Sequence, residues 1–195
     1  MAEALGFTVA VAVYIWFLRA QWHWSLLFLV ALVLASFIRH SETLDSLGLT
    51  VGAFLDAMSE WRWWLAAGIA SVVILGWMRV TPGQLVNRWL LYLFWCILQQ
   101  LLLQNMIYRR LRAALGASWG TSLCAGALFA AVHIPNPILV PATFLWGTVS
   151  TRMFDSHPSI PSLGLWQALL SILLTWLAPI AMIRQLRVGP GYWTW

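Results

Sequence analysis

Lysine is absent from this chain, and charge of either sign is scarce. Eleven arginines and six acidic residues amount to 9% of 195 positions. A water-soluble domain carries about 25% charged residues. With 62% hydrophobic residues and a mean hydropathy of +0.80, this chain has too little charge to cover a water-facing surface. A soluble globular domain is therefore excluded, as are a disordered chain and a coiled coil. Only two cysteines are present, Cys96 and Cys124, and both lie inside apolar runs. They read as small buried hydrophobes rather than as a bridge or metal ligands. Without lysine, the net charge of +5 rests wholly on arginines that flank apolar runs, so no nucleic-acid surface is expected. No basic residue precedes the first apolar stretch, which argues against a cleavable signal peptide.

Tryptophan, in contrast, is abundant: 15 residues, including Trp22, Trp24, Trp61, Trp63, Trp64, Trp77, Trp119, Trp193 and Trp195 near the ends of apolar runs. An amphipathic indole settles there, between headgroups and hydrocarbon. A bilayer core takes about 20 apolar residues per helix. Seven candidate spans follow: 5–18, 24–38, 63–80, 85–108, 116–133, 138–153 and 163–183. Between the second and third, Ser41 to Glu60 carries Glu42, Asp45, Asp56 and Glu60 among apolar residues, the pattern of a loop leading into an interfacial amphipathic helix. The expected fold is all-α: a single membrane domain, a polytopic transmembrane bundle of about seven spans plus one interfacial helix. Its parts are two N-terminal spans (1–40), the interfacial segment (41–62), a core (63–187) and a short tail (188–195). Alternation places Arg39, Arg62, Arg109, Arg110, Arg112 and Arg152 on one side and Arg19, Arg79, Arg88, Arg184 and Arg187 on the other. The Arg109–Arg112 cluster tips that side, and the N-terminus with it, toward the cytoplasm of a bacterial inner membrane. Gly116 and Gly120 match the small-xxx-small pattern of close helix approach.

In a membrane helix the informative residues are polar ones away from the ends. The fourth span carries Gln99, Gln100, Gln104 and Asn105, the fifth ends at His133, and the seventh carries Gln167 and Ser171. Gln100 and Gln104 share a helix face, as do Gln167 and Ser171. Two readings fit. The amides are interhelical glue and His133 caps its helix, or the three patches meet around a cavity.

From Leu85 to Leu174 the sequence resembles the CPBP intramembrane protease family, the CAAX-prenyl and bacteriocin-processing proteases also called Abi. Where the family has E-E-x-x-x-R followed by basic residues, this chain has Gln99-Gln100, Gln104, then Arg109, Arg110 and Arg112. The family F-x-x-x-H is Phe129 to His133, its F-L-x-G is Phe144 to Gly147, and its H-x-x-x-N is Gln167 to Ser171. The resemblance implies a cavity in which a glutamate activates water with help from histidines. Here both glutamates, the arginine and one histidine are Gln, and of the polar catalytic set His133 alone is kept. A Gln amide does not titrate, so it cannot take a proton from water. The expectation is a catalytically inactive CPBP-like protein, a pseudoenzyme serving as a structural or assembly subunit of a larger membrane complex. An active variant protease centred on His133, and a module binding a lipid, quinone or pigment, are the alternatives. No catalytic residue, metal or obligate cofactor is expected. The partners expected are membrane lipids and other integral membrane proteins. His23 and His40 are candidates for axial ligation of a tetrapyrrole, while Asp155 and His157 read as residues of a polar turn.

Overall fold

Backbone groups that cannot reach water must be satisfied within their own segment, and long apolar runs therefore form helix. The computed structural model describes residues 1–22, 24–77 and 82–193, apart from the side chains of 75–77, 82–89 and 180. All regular structure among the described residues is helical. Helix α1 (Ala2–Val13) runs on through a π-helical turn, Tyr14–Leu18, and α2 is Ser25–Arg39. After a loop comes α3 (Val51–Trp77), then α4 (Pro82–Leu102), which continues as a π-helical segment, Leu103–Tyr108, into α5 (Arg109–Leu115). Gly116, at φ +79°, ends that rod in a conformation open to glycine. Ser118 then caps α6 (Trp119–Ala131), its Oγ accepting from the Thr121 N–H at 3.1 Å. Helices α7 (Leu139–Ser156), α8 (Ile160–Leu177) and α9 (Ile180–Ile183) and two short 3-10 turns complete the described residues.

The seven expected spans are corrected. Among the described residues two helices are long and apolar enough to cross a membrane, Leu90–Leu115 (26 residues) and Ile160–Leu177 (18 residues). Ala2–Leu18, Ser25–Arg39 and Trp119–Ala131 are apolar but shorter. At 1.5 Å per residue the last of these covers only about 20 Å. The reasons are local. The Pro135-Asn136-Pro137 break stops α6 early, and α7 carries Arg152 and Asp155 in its last turns. The expected boundary between interfacial helix and third span is also absent. No proline interrupts 51–77, so Asp56, Glu60 and Arg62 sit inside one 27-residue helix.

Successive helices bring their ends to two opposite places. Glu3, Ser36, Glu42, Arg110 and Asp155 gather at one end. Ile15, Ile134, Asn136, Ile183 and Gly189 gather at the other. The closest helix approaches are made at glycine, though not at Gly116 or Gly120. A Cβ on Gly116 meets nothing within 4 Å, and one on Gly120 meets only Ser118 Oγ at 3.6 Å. Gly126 of α6 and Gly147 of α7 face each other instead, with the Gly126 Cα 3.0 Å from a Cβ built on Gly147. Gly164 of α8 lies against the backbone of Ile97 in α4.

The tryptophan and cysteine expectations divide. Trp22, Trp24, Trp63, Trp64, Trp119 and Trp193 are exposed, as anchors would be, but Trp61 is buried, edge-on to His157 at 5.7 Å. Cys96 is buried as expected, whereas Cys124 is exposed on α6.

Candidate functional site

One helical turn beyond the Gly164–Ile97 contact, α8 and α4 present Gln167 and Gln100 to each other. Gln100 Nε2 donates to Gln167 Oε1 at 2.6 Å, and Gln104 Nε2 donates to Gln100 Oε1 at 2.9 Å. Gln167 Nε2 donates to Gln99 Oε1, and Gln104 Nε2 reaches Ser150 Oγ of α7 at 3.3 Å. Amide oxygen and nitrogen are told apart only by their partners. Here one partner is unambiguous: the indole N–H of Trp146, a donor only, meets Gln167 Oε1 at 3.3 Å. That fixes the sense of the whole chain, Gln104 to Gln100 to Gln167 to Gln99. Gln100 and Gln104 are fully buried and Gln167 nearly so. The π-helical segment 103–108, all of it buried, carries Gln104 and Asn105. Such segments often mark functional places in a helix. Gln104 Oε1 is buried without a hydrogen-bond partner.

Gln99, Gln167 and Ser171 line a cavity of about 1600 Å³ together with His133. Its walls come from α1 and α2 on one side and α4, α6, α7 and α8 on the other, and among its described lining residues there is no Asp or Glu. His133 lies two residues past the end of α6 and is 7% exposed. Its Nδ1–H donates to the Phe129 carbonyl at 2.7 Å, and its ring meets the Phe129 ring edge-on at 4.8 Å. The F-x-x-x-H spacing is thus an i, i+4 relation in which the imidazole satisfies a carbonyl left open at a helix C-terminus. His133 caps its helix and faces the cavity at once.

The ionisable residues are held elsewhere. At the opposite end from Asn136, Glu42 (side chain 3% exposed) accepts from Arg109 Nη1 at 2.7 Å and Arg110 Nη2 at 3.1 Å. Ser46 Oγ donates to it at 2.7 Å. Asn105 belongs to this cluster rather than to the amide chain, since its Oδ1 accepts from Arg109 at 3.0 Å. Glu3 accepts from Ser36 and pairs with His40 Nε2 at 3.0 Å, with Arg110 Nε 3.7 Å away. Asp155 is not a loop residue: it lies in the last turn of α7, accepts from Tyr108, and pairs with Arg112 at 2.8 Å and Arg152 at 3.1 Å. Burial alone pushes the Glu42 carboxyl up, but the hydrogen bonds from Ser46 and Arg109 and the arginine charges outweigh it, and the group sits below the usual carboxylate range.

Gln99, Gln100, Gln104, Gln167, Ser171 and His133 are therefore brought to one region. His40 is not among them; its Nε2 is taken up by Glu3 at the charged end. His23 lies outside the described residues. His157 is half-buried against Trp61 rather than free in solvent. No group of three or more His, Cys, Asp or Glu that could hold a metal ion occurs among the described residues. Sequence reasoning missed two participants. Trp146, the third position of Phe144-Leu-Trp-Gly147, is the donor that orients the amides, and Glu42 anchors the arginines. No sequence signal marked Trp146: its neighbour Gly147 packs against Gly126 of α6 while the indole reaches Gln167 of α8, and neither partner is set by local spacing. No family model, curated protein or solved structure matches the chain.

Proposed function

We propose that the chain is a catalytically inactive, CPBP-protease-like integral membrane protein that serves as a structural or assembly subunit of a larger membrane complex. The observation that carries the proposal is the oriented amide chain. The positions that would hold the family's acids, arginine and second histidine are four glutamines, three of which donate to the next. Peptide hydrolysis needs a group that takes a proton from water, and a carboxamide does not titrate. Loss of the arginine with the acids is consistent, since a guanidinium without a carboxylate would be an uncompensated buried charge. The assembly half rests on the perimeter. Trp63, Trp64, Leu91 and Phe94 are 68–76% exposed (75%, 74%, 76% and 68%), an apolar surface suited to lipid and to neighbouring helices. Purification of the native chain in a mild detergent tests this. Integral membrane chains are expected to migrate with it at fixed stoichiometry, and full recovery of the chain alone would refute the assembly role.

A second reading, a module binding a lipid, quinone or pigment, is favoured by the cavity. Ligand sites are concave and mostly apolar with a few placed polar groups. A space of about 1600 Å³ walled by Leu, Val, Phe and Trp, with His133, Gln99 and Ser171 on its lining, fits that description. The active-protease reading has less support, because no Asp or Glu accompanies His133 among the described residues of the cavity.

A further inference from the structure

Two hydrogen-bonding valences on the cavity are left open, and they are of opposite kind. His133 has used its Nδ1–H on the Phe129 carbonyl, which can only accept. The imidazole is more than nine-tenths buried and shares its cavity with no Asp or Glu among the described residues, so nothing there supports a second proton. Its Nε2 is then a bare acceptor with no hydrogen-bond partner among the described residues. Gln99 is the last member of the oriented amide chain. Its Oε1 accepts from Gln167, which leaves its NH2 as a donor at the end of the chain. Both residues line the same space.

An uncharged hydroxyl supplies the donor that His133 Nε2 lacks and keeps an acceptor for other groups such as the Gln99 NH2. A carbonyl, ester, carboxylate or phosphate only accepts, and would leave His133 Nε2 unmatched. The remainder of the site sets the body of the ligand. At about 1600 Å³ the cavity exceeds the range of about 300–1,000 Å³ of ordinary small-molecule sites. It is walled by Leu29, Val33 and Phe37 of α2 and, opposite, by Leu102, Ala142 and Leu174. These surfaces match hydrocarbon. We propose that the cavity binds a neutral long-chain lipid alcohol whose O–H donates to His133 Nε2. The inference deepens the binding reading of this cavity and is independent of the assembly reading. Arg19 and Arg187 also border the cavity, and they define the competing ligand, an anionic lipid.

Trp95 and Trp146 line the cavity, so bromine brought into it quenches tryptophan fluorescence. The full chain, stripped of lipid in detergent, is titrated with 9,10-dibromo-octadecanol, with its methyl ether, and with 9,10-dibromostearate. The alcohol is expected to bind about tenfold more tightly than the ether, a difference of one hydrogen bond left unmade. His133→Ala is expected to bring the two within about twofold while both still bind. The ratio on the unaltered chain decides the matter even if that variant fails to fold. Equal binding of alcohol and ether would overturn the assignment to His133 and leave the binding reading standing. Tighter binding of the carboxylate would overturn it in favour of an anionic site. A native tetrapyrrole whose absorbance is lost in His133→Ala would overturn it in favour of axial ligation. Absence of quenching by all three probes would remove the binding reading as well.

Discussion

Replacing Glu42 with alanine is expected to lower the unfolding free energy by about 3–5 kcal/mol, the range seen when one partner of a buried ion pair is removed. Glu42 is 3% exposed and answers two guanidiniums, of which Arg110 is 9% exposed. Without the carboxylate, Arg110 keeps, among the described residues, Ser36 Oγ at 3.3 Å and the more distant, part-exposed carboxylate of Glu3 at 3.7 Å. The loss is a penalty for a stranded charge more than the worth of an attraction. Arg112→Ala makes the contrast. Its pair with Asp155 is just as short, 2.8 Å, but Arg112 is 48% exposed, and a loss below about 1 kcal/mol is expected. Denaturant unfolding in detergent, followed by circular dichroism, measures both. The same residue gives a pH signature. Because the folded-state pKa of Glu42 is lowered from 4.5, its contribution is present above that value and is lost as pH falls through the folded pKa. Acid destabilisation below about pH 4.5 is therefore expected to be shallower in Glu42→Ala than in the unaltered chain.

Gly164→Ala is expected to be among the most damaging single-methyl changes, at about 1–3 kcal/mol or more. A Cβ there falls 2.5 Å from Ile97 Cγ1, 2.7 Å from Ile97 Cα and 2.9 Å from Ile97 N. A rotamer change can move Cγ1, but the two backbone atoms cannot yield unless α4 and α8 separate. Separation acts one turn away, on the Gln100–Gln167 bond of 2.6 Å, and would strand fully buried amide groups. Gly52→Ala is the control: also helical, with nothing within 4 Å of the added methyl, it is expected to be neutral or to stabilise by up to about 1 kcal/mol. Thermal unfolding of the two variants beside the parent chain distinguishes a packing effect from helix propensity.

The parts of the site that follow helical periodicity were readable from the chain. The i, i+4 pairing of Gln100 with Gln104 and of Phe129 with His133 comes out as drawn. Partners that lie 67 residues apart, such as Gln100 with Gln167, were legible only as polar residues needing company in an apolar helix. What periodicity cannot see is which helices touch. Gly126 and Gly147 carry no signal that sets them above Gly116 and Gly120, yet they make the close approach. Glu42 and Asp155 looked like loop acids because a carboxylate near a helix end is ordinarily solvated. Their pairing depends on arginines supplied from α5, more than 60 residues from Glu42 and, for Arg112, 43 from Asp155. The span count failed for a related reason: hydropathy windows register composition, not where a proline break or a paired charge ends a helix.

If the amides at 99, 100, 104 and 167 stand where a protease would hold its ionisable groups, as proposed, the chain hydrolyses no peptide. The most direct measurement incubates the purified full chain with membrane-anchored and prenylated peptides and follows cleavage by mass spectrometry. No product above the protein-free background is expected, and His133→Ala should change nothing. Turnover that is present in the unaltered chain and vanishes in His133→Ala would contradict the account.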